Sequence, residues 1–252
     1  MEIIKLGGSI ITRKMGYMEA DERNIDFLAK ILAKYWHSGK RDIIIVHGAG
    51  SFGHAPVLAH GIAKAVKSEK NRLGFADVHA SCSYLSLIIV EALIKNEVPA
   101  VSIPPTAVME QTNGRISKFD SKIVMDFVKQ GYLPVLYGDM ILDRKTGGSV
   151  CSGDQIVSYL GKNAKRIIFA GNVDGVMVNG KVVEKINNLN IGHVEKYLTI
   201  SDAPDITGGM AGKVRELIRL KRPTFIVNAV KHKRLEDILW GRKITSTEIC
   251  MK

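Results

Sequence analysis

The sequence predicts an α/β protein, a three-layer αβα sandwich around one open, mostly parallel β-sheet. Short apolar segments rich in β-branched residues alternate with longer segments of helical periodicity, and this alternation is typical of parallel sheets flanked by helices. The segment DIIIV at residues 42–46 is a continuous apolar run, as expected of a strand covered on both faces. We find no repeat, low-complexity tract or linker, so we expect one folded unit.

The first elements are a strand, a helix and a second strand. Residues 2–6 form a short strand that ends at the Gly7-Gly8 turn. The helix begins after Asp21, a favourable N-cap residue, and ends at Gly39. Its buried face is predicted from apolar residues at helical spacing, namely Ile25, Leu28, Leu32 and Tyr35. The DIIIV segment supplies the second strand.

The same alternation continues through the rest of the chain. Predicted helices cover residues 75–95, 121–130, 210–220 and 235–239, and predicted strands cover residues 100–103, 133–136, 166–170, 224–228 and a segment near Glu248. Two interruptions are typical of hairpins. One is the KTGG turn at residues 145–148, and the other is Asn179-Gly180, a strong type I′ turn signal.

Composition indicates an anionic partner and a reducing compartment. The chain carries 36 Lys and Arg against 25 Asp and Glu, a formal charge of +11, which attracts phosphates, acidic lipids and nucleic acids alike. Only 6% of residues are aromatic, which gives little sign of a basic stripe with interleaved aromatics, so we expect no nucleic-acid partner. Cys82, Cys151 and Cys250 lack metal-ligand spacing. With no basic leader and no apolar run of about 20 residues, we expect a cytoplasmic protein without a membrane partner.

The first of three glycine-rich segments follows the first strand. It contains Lys5, Gly7, Gly8 and Ser9. Glycines let a backbone approach an anion and direct N–H groups at it, and a lysine adds positive charge. The alternative is an ordinary strand-to-helix turn with a solvated lysine, and this segment alone does not decide between the two.

The second segment, residues 48–54, matches the G-x-G-x-x-G pattern of dinucleotide-binding proteins. That pattern requires an acidic residue at the end of the next strand, and Glu69 has the spacing but lies in a polar, basic stretch. Protein-kinase motifs and a Walker A sequence are also absent. We therefore expect an anion site at a helix N-terminus, joined by His54, with His47 in a packing or supporting role.

The third set of glycines is distributed over the second half of the chain. It comprises SGD at residues 152–154, GNVDG at residues 171–175 and TGGMAGK at residues 207–213. Several backbone anion sites, two lysines, and acidic groups able to organise hydrated magnesium together indicate phosphoryl transfer, where catalysis is mainly positioning and charge neutralisation.

These motifs resemble the amino acid kinase superfamily over nearly the whole chain. The matching motifs are KLGGS, the glycine loop after the second strand, SGD, the VDG loop and TGGMxxK. Within it, the SFGH ending of the second loop, Thr12 and Lys14, and YGD ahead of SGD are similar to isopentenyl phosphate kinases, with fosfomycin kinases as close relatives. The resemblance implies phosphorylation of isopentenyl phosphate by ATP and Mg²⁺ in an alternative mevalonate route of isoprenoid biosynthesis. It also implies a homodimer, an acceptor-binding lobe at residues 1–155 and a nucleotide-binding lobe at residues 156–252 that share one sheet.

Site residues are carried over by position, and no direct metal ligand is assigned. The resemblance implies that the catalytic residues are His54, Lys5, Lys14 and Asp154. It implies that the ATP site contains Lys5, Gly7, Gly8, Ser9, Gly50, Asn172, Asp174, Gly175, Gly209 and Lys213. It implies that the acceptor site contains Ala49, Gly50, His54 and Gly153, with an apolar wall of Phe75, Val78, Met140 and Val150, for each of which ordinary core packing is the alternative.

Two positions depart from the family pattern. Ala49 stands where glycine is usual, so its amide is retained while a Cβ crowds the acceptor phosphate. Asn172 replaces an aspartate, which removes a charge near the nucleotide. The expected reaction is direct in-line transfer from ATP to the acceptor phosphate. Other small-molecule kinases of the superfamily, acting on fosfomycin, glutamate, carbamate or nucleoside monophosphates, are the nearest alternative, and a dinucleotide-dependent oxidoreductase is less favoured.

Overall fold

An eight-stranded β-sheet forms the centre of the protein, as seen in a computed structural model that describes residues 1–13, 16–63, 65–201 and 209–251. The strands are β1 Glu2–Leu6, β2 Ile43–His47, β3 Ala100–Ser102, β4 Met109–Thr112, β5 Arg115–Phe119, β6 Leu133–Tyr137, β7 Asp139–Asp143, β8 Gly147–Cys151, β9 Arg166–Gly171, β10 Met177–Val178, β11 Lys181–Val182, β12 Lys185–Ile186, β13 Thr224–Asn228 and β14 Thr247–Ile249. The central sheet has the order β12-β14-β13-β9-β1-β2-β6-β3. Pairing is parallel from β13 to β3, and β14 is antiparallel to β13, so the predicted mostly parallel sheet is confirmed.

Helices connect most of these strands. They are α1 Gly8–Ile11, α2 Glu22–His37, α3 Ser51–Ala59, α4 Glu69–Ile94, α5 Pro105–Val108, α6 Ser121–Lys129, α7 Gly153–Leu160, α8 Ile191–Ser201, α9 Gly209–Ile218 and α10 His232–Leu239. Asp21 caps α2 by accepting a hydrogen bond from the Asn24 amide, as predicted. Helix α4 begins six residues before the predicted start because Ser68 and Asn71 form a capping box.

The central sheet is covered on both faces. Adjacent residues of one strand enter opposite cores: Ile3 and Ile44 lie in the core that includes α7 and α9, whereas Ile4 and Ile45 lie in the core that includes α2, α4 and α10. Side chains alternate across a strand, so an unbroken apolar strand requires a helical layer on each side. The three-layer arrangement is therefore a direct consequence of the DIIIV-type segments.

A second, four-stranded sheet has the order β5-β4-β7-β8. Its β7–β8 hairpin and the β10–β11 hairpin were both predicted, and positive φ angles at Asn179 and Gly180 confirm the type I′ turn. The β4–β5 hairpin was not predicted, although Asn113 and Gly114 have the same pair of positive φ angles. Buried Asp143 joins the hairpins by accepting hydrogen bonds from the amides of Asn113, Gly114, Lys145 and Thr146.

Helix α4 is long and packs against several elements of the fold. Among the described residues it is the one helix long and apolar enough to cross a membrane. One side of it is buried, with Val78, Leu85 and Ile89 inside the protein. Leu85 and Ile89 belong to the core that contains α2, so part of its apolar character comes from core packing.

Candidate active site

The carboxyl ends of four neighbouring strands meet at one edge of the central sheet. The Gly7 amide donates to the Ala170 carbonyl at 2.8 Å, which joins the ends of β1 and β9. The Gly48 amide donates to Leu6 at 2.9 Å, and the Gly138 amide donates to His47 at 2.9 Å. These bonds extend the strand pairing into the turns, so the predicted glycine segments lie side by side.

The turns after β1 and β2 are in direct backbone contact. A Cβ added at Gly8 would lie 2.6 Å from Gly50 Cα, and one added at Gly48 would lie 2.8 Å from the Gly8 nitrogen. Real side chains do not tolerate such distances to backbone atoms, so glycine is required for the two turns to approach this closely. The prediction of a plain strand-to-helix turn at Gly7-Gly8 does not account for this contact.

The start of α7 joins the same group of turns. A Cβ at Gly153 would lie 2.9 Å from the His47 carbonyl oxygen. One at Gly138 would lie 3.3 Å from the Gly153 nitrogen and 3.5 Å from the Ala49 nitrogen. The predicted acceptor-site amides of Ala49 and Gly153 are therefore neighbours, although the two residues are about a hundred positions apart in sequence.

Five backbone amides at these turns have no hydrogen-bond acceptor among the described residues. In the described part of the chain, the backbone N–H groups of Gly8, Ser9, Ala49, Gly50 and Gly153 donate to no protein acceptor. Backbone donors at a helix start are well suited to binding anions, because the N–H groups and the helix dipole both favour negative charge. All five had been predicted from sequence as phosphate-site residues.

Lys5 places a cation at the same edge of the sheet. Its ammonium lies 2.8 Å from Asp154 Oδ1, and its side chain is 9% exposed. Asp154 lies in the first turn of α7, which Ser152 caps by accepting a hydrogen bond from the Gln155 amide. The Lys5 ammonium also lies 5.6 Å from the centre of the Phe169 ring. The ion pair holds the Lys5 ammonium beside the first turn of α7, and the catalytic role predicted for Asp154 stays a prediction.

Two histidines near the β2 turn differ in environment. His54 lies in the first turn of α3 with an exposed side chain, where it can reach a ligand. His47 is fully buried, its ring stacks on Tyr137 with centroids 5.3 Å apart, and its Nδ1 is 3.0 Å from the Gly48 carbonyl oxygen. Burial, with a smaller contribution from the charge of Lys5, lowers the pKa of His47 to about 4, so the ring is neutral at physiological pH. This agrees with the predicted packing or supporting role.

A small apolar cluster lies beside these turns, separate from the two main cores. All four residues of the predicted apolar wall belong to it, and so does Ala49. Its members are Val57, Ile62, Val66, Val78, Cys82, Tyr137 and Met140, with Ala49, Phe75 and Val150 packed against them. The β7–β8 turn closes over one end, since the Val66 amide donates to Thr146 at 2.9 Å.

A partly buried His–Asp pair that sequence reasoning missed connects α4 to β7. His79 Nδ1 lies 2.8 Å from Asp139 Oδ2, and the Asp139 side chain is fully buried. The other oxygen, Oδ1, accepts a hydrogen bond from the Met140 amide. The bond to Asp139 raises the pKa of His79, and burial raises the pKa of Asp139. Because this aspartate follows the Gly138 turn directly, its charge lies close to the candidate site.

A cluster of polar and charged side chains around Asp174 lies at the ends of β9 and β13. Asp174 accepts hydrogen bonds from Asn228 Nδ2 at 2.7 Å and from Lys231 Nζ at 3.0 Å, and it pairs with Arg234 at 2.8 Å. The bonds from Asn228 and Lys231 lower the pKa of the Asp174 carboxyl. Asn172 is exposed beside them. These three partners were not predicted; their position at the end of a strand was the available signal.

The remaining predicted residues are only partly described. Gly175 is buried in the same turn as Asp174, and Gly209 is the first residue of α9. Lys14 and the side chain of Lys213 lie outside the described residues, so their predicted roles stay predictions.

Comparisons with known proteins agree with this arrangement. A model of the amino acid kinase family matches residues 1–228. The chain is 34% identical to the isopentenyl phosphate kinase of Methanothermobacter thermautotrophicus, over 100% of both proteins. It is 32% identical to that of Methanocaldococcus jannaschii, over 99% of this chain and 98% of the relative. A solved structure of an isopentenyl phosphate kinase, 31% identical, superposes with a TM-score of 0.84 over 99% of each chain. The chain therefore belongs to the amino acid kinase family.

Proposed function

We propose that this protein is an ATP-dependent isopentenyl phosphate kinase that converts isopentenyl monophosphate to isopentenyl diphosphate. The observation that carries the proposal is the contact between the β1 and β2 turns, next to a separate apolar cluster. Each turn has backbone N–H groups that donate to no acceptor among the described residues. Two phosphate groups bound by touching turns are held end to end, and the cluster receives an apolar tail. The full-length similarity to isopentenyl phosphate kinases supports this choice of acceptor.

The proposed reaction is direct in-line attack by an acceptor phosphate oxygen on the γ-phosphorus of ATP. A phosphate monoester has its second pKa near 6, so it is largely ionised at neutral pH and needs no strong general base. Lys5 and the Gly8 and Ser9 amides bind the ATP phosphates in this scheme. The Ala49, Gly50 and Gly153 amides and His54 bind the acceptor phosphate. Catalysis then comes from positioning and from neutralising the charge of the transferring group.

Mg²⁺ is part of the proposal as a companion of ATP. Among the described residues, no group of three or more His, Cys, Asp and Glu side chains could hold a metal ion. Mg²⁺ keeps several waters and is commonly bound through substrate phosphates with one or two carboxylates, which fits a site with few acidic groups. When bound, the ion would neutralise phosphate charge.

The apolar cluster favours an isoprenoid acceptor over the polar acceptors of related kinases. Met140 and Val78 are buried, and Phe75 and Val150 pack against the cluster with intermediate exposure. A branched five-carbon tail gains free energy from such surroundings, on the order of 0.8 kcal/mol per buried methylene. Glutamate and carbamate offer no comparable apolar surface.

We also propose a homodimer formed through the exposed side of α4. Four large apolar side chains lie along one stripe of this helix, and each is about half or more exposed: Leu73, Tyr84, Leu87 and Ile94. Apolar stripes of this kind are typical of interaction surfaces, and a second copy of the chain would cover them symmetrically. Light scattering on Leu87→Glu, compared with wild type, tests the assembly.

A cytoplasmic location, favoured by three free cysteines, completes the proposal and is tested by cell fractionation.

An acceptor panel with ATP and Mg²⁺ tests the function. The purified protein is incubated with isopentenyl phosphate, fosfomycin, glutamate, carbamate and a nucleoside monophosphate, and ADP release is followed in each case. We expect the highest kcat/KM with isopentenyl phosphate, and mass spectrometry should identify isopentenyl diphosphate. A higher kcat/KM with another acceptor would assign the chain to a different activity in the same family.

A further inference from the structure

Thr12 connects the two turns that meet at the candidate site. Its side chain is buried, and its hydroxyl donates to the Gly8 carbonyl oxygen at 2.9 Å. The hydroxyl oxygen of Thr12 in turn accepts a hydrogen bond from the Ser51 amide at 3.1 Å. Gly8 belongs to the turn after β1, and Ser51 is the first residue of α3, after the β2 turn. One hydroxyl therefore bridges the two turns.

The bridge determines which amides remain for a ligand. The Ser51 amide is occupied by Thr12, and the Phe52 and His54 amides donate to Ala49 and Gly50 carbonyls. The first donors left at this turn are the amides of Ala49 and Gly50, which precede the helix. Gly50 has a φ of 52°, and a Cβ there would collide with the Thr12 hydroxyl. Glycine at position 50 is therefore required for the Thr12 side chain to lie this close to the β2 turn.

We propose that Thr12 is a positioning residue that sets the distance between the ATP phosphates and the acceptor phosphate. This inference rests on the proposed function, because it assigns the β1 turn to ATP and the β2 turn to the acceptor. Thr12 touches neither substrate in this scheme. Its hydroxyl fixes the Gly8 backbone relative to the start of α3, and a small error in the separation of reacting groups costs a large factor in rate.

The experiment compares Thr12→Val with Thr12→Ser in the full chain. Valine keeps the shape of threonine but loses both hydrogen bonds, whereas serine keeps the hydroxyl. We expect Thr12→Val to lower kcat about 10- to 100-fold while KM for ATP and for isopentenyl phosphate each change less than about threefold. Thr12→Ser should stay within about threefold of wild-type kcat. Thr12→Ala, which removes the hydroxyl without adding bulk, replaces the valine variant if that protein does not fold.

Thr224→Val is the matched control. Thr224 is fully buried, and its hydroxyl donates to the Arg222 carbonyl at 3.0 Å at the other end of the sheet. This variant should lower the melting temperature and leave kcat unchanged, which separates a lost buried hydrogen bond from lost positioning. A kcat of Thr12→Val within about twofold of wild type, or equal losses in Thr12→Val and Thr12→Ser, overturns the inference. A wild-type chain that leaves isopentenyl phosphate unchanged refutes the proposed function instead, and the variants are then compared on the acceptor that it does use.

Discussion

Two regions at the carboxyl edge of the sheet differ in the groups that they present. One lies at the ends of β1, β2 and β6, and the other lies at the ends of β9 and β13. At the first three, the groups proposed to bind the phosphates are mainly backbone amides, and glycines allow the turns to touch. We name this the backbone region. At β9 and β13, Asp174 is surrounded by Asn228, Lys231 and Arg234, which we name the ion-pair region. Backbone donors cannot adjust independently, whereas long charged side chains can re-pair. Substitutions should therefore have larger effects in the first region than in the second.

The largest effect is expected for His54, the exposed side chain that supplements the backbone region. We expect His54→Asn to lower kcat about 10²- to 10³-fold, as for loss of one donor that stabilises transition-state charge, with an unchanged melting temperature. Steady-state assays with isopentenyl phosphate measure this. His60→Asn is the control, because His60 lies just beyond α3 and pairs with Asp77. Near-normal turnover of His54→Asn would remove this histidine from the mechanism.

Gly8→Ala tests the contact that defines the backbone region. The new Cβ would lie 2.6 Å from Gly50 Cα, so the two turns must separate. We expect kcat to fall at least about tenfold from misplacement of the reacting groups, with a loss of stability of about 1–3 kcal/mol. The rate is measured by ADP release and the stability by urea unfolding.

The control for this variant is Gly192→Ala, in the first turn of α8. A Cβ at that position meets nothing within 4 Å, so the substitution should be neutral or slightly stabilising. If Gly8→Ala behaves like Gly192→Ala, the close approach of the turns is not required for activity.

Asp174→Asn tests the ion-pair region and should have a smaller effect. Asparagine keeps the shape and one acceptor oxygen, while Lys231 and Arg234 lose their anionic partner. We expect KM for ATP to change about three- to tenfold and kcat to change less, because surface ion pairs are weak and their members re-pair. Asp126→Asn, which breaks an exposed pair with Lys122 on α6, should change neither constant. A kcat loss as large as that of His54→Asn would contradict the contrast between the two regions.

Sequence reasoning predicted the backbone region more completely than the ion-pair region, and the reason is physical. The glycine segments at residues 7–8, 48–54 and 152–154 stand after strands or at a helix start, and both features are local in sequence; the roles of Ala49 and Gly153 came from the family resemblance. The partners of Asp174 lie 54 to 60 positions away, so only the strand order brings them together. The Thr12–Ser51 bond spans 39 positions and is equally invisible to a local pattern.

Two further differences have local causes. Helix α4 starts earlier than predicted because of the Ser68 capping box. Its first residues are mostly polar, so apolar periodicity did not mark the start of the helix. The β4–β5 hairpin carries an Asn113-Gly114 turn, but its strands are polar, with Arg115, Ser117 and Lys118 exposed, so apolar periodicity gave no strand signal.

The smallest effect is expected from the His79–Asp139 pair, which lies beside the backbone region but contains no predicted site residue. The pKa of His79 is raised by its bond to Asp139. The resulting stabilisation is complete below the unfolded-state pKa of about 6.5 and is lost as the pH rises through the folded-state pKa. Around Asp139, the pKa values of Tyr137, Cys82 and Cys151 are raised by burial, so these groups stay neutral over this range.

We therefore expect the unfolding free energy of wild type, relative to His79→Asn, to fall by less than about 1 kcal/mol between pH 6 and pH 8.5. Urea unfolding at four pH values measures it. His37→Asn, which removes an exposed histidine bonded to the Asn96 carbonyl, should follow the wild-type curve. Parallel curves for wild type and His79→Asn would show that the pair does not titrate in the folded protein. Helix α4 and strand β7 also carry Val78 and Met140 of the apolar cluster. A confirmed titration would therefore identify a pH-dependent contact between the two elements that carry these residues, whereas the glycine contacts of the backbone region contain no titratable group.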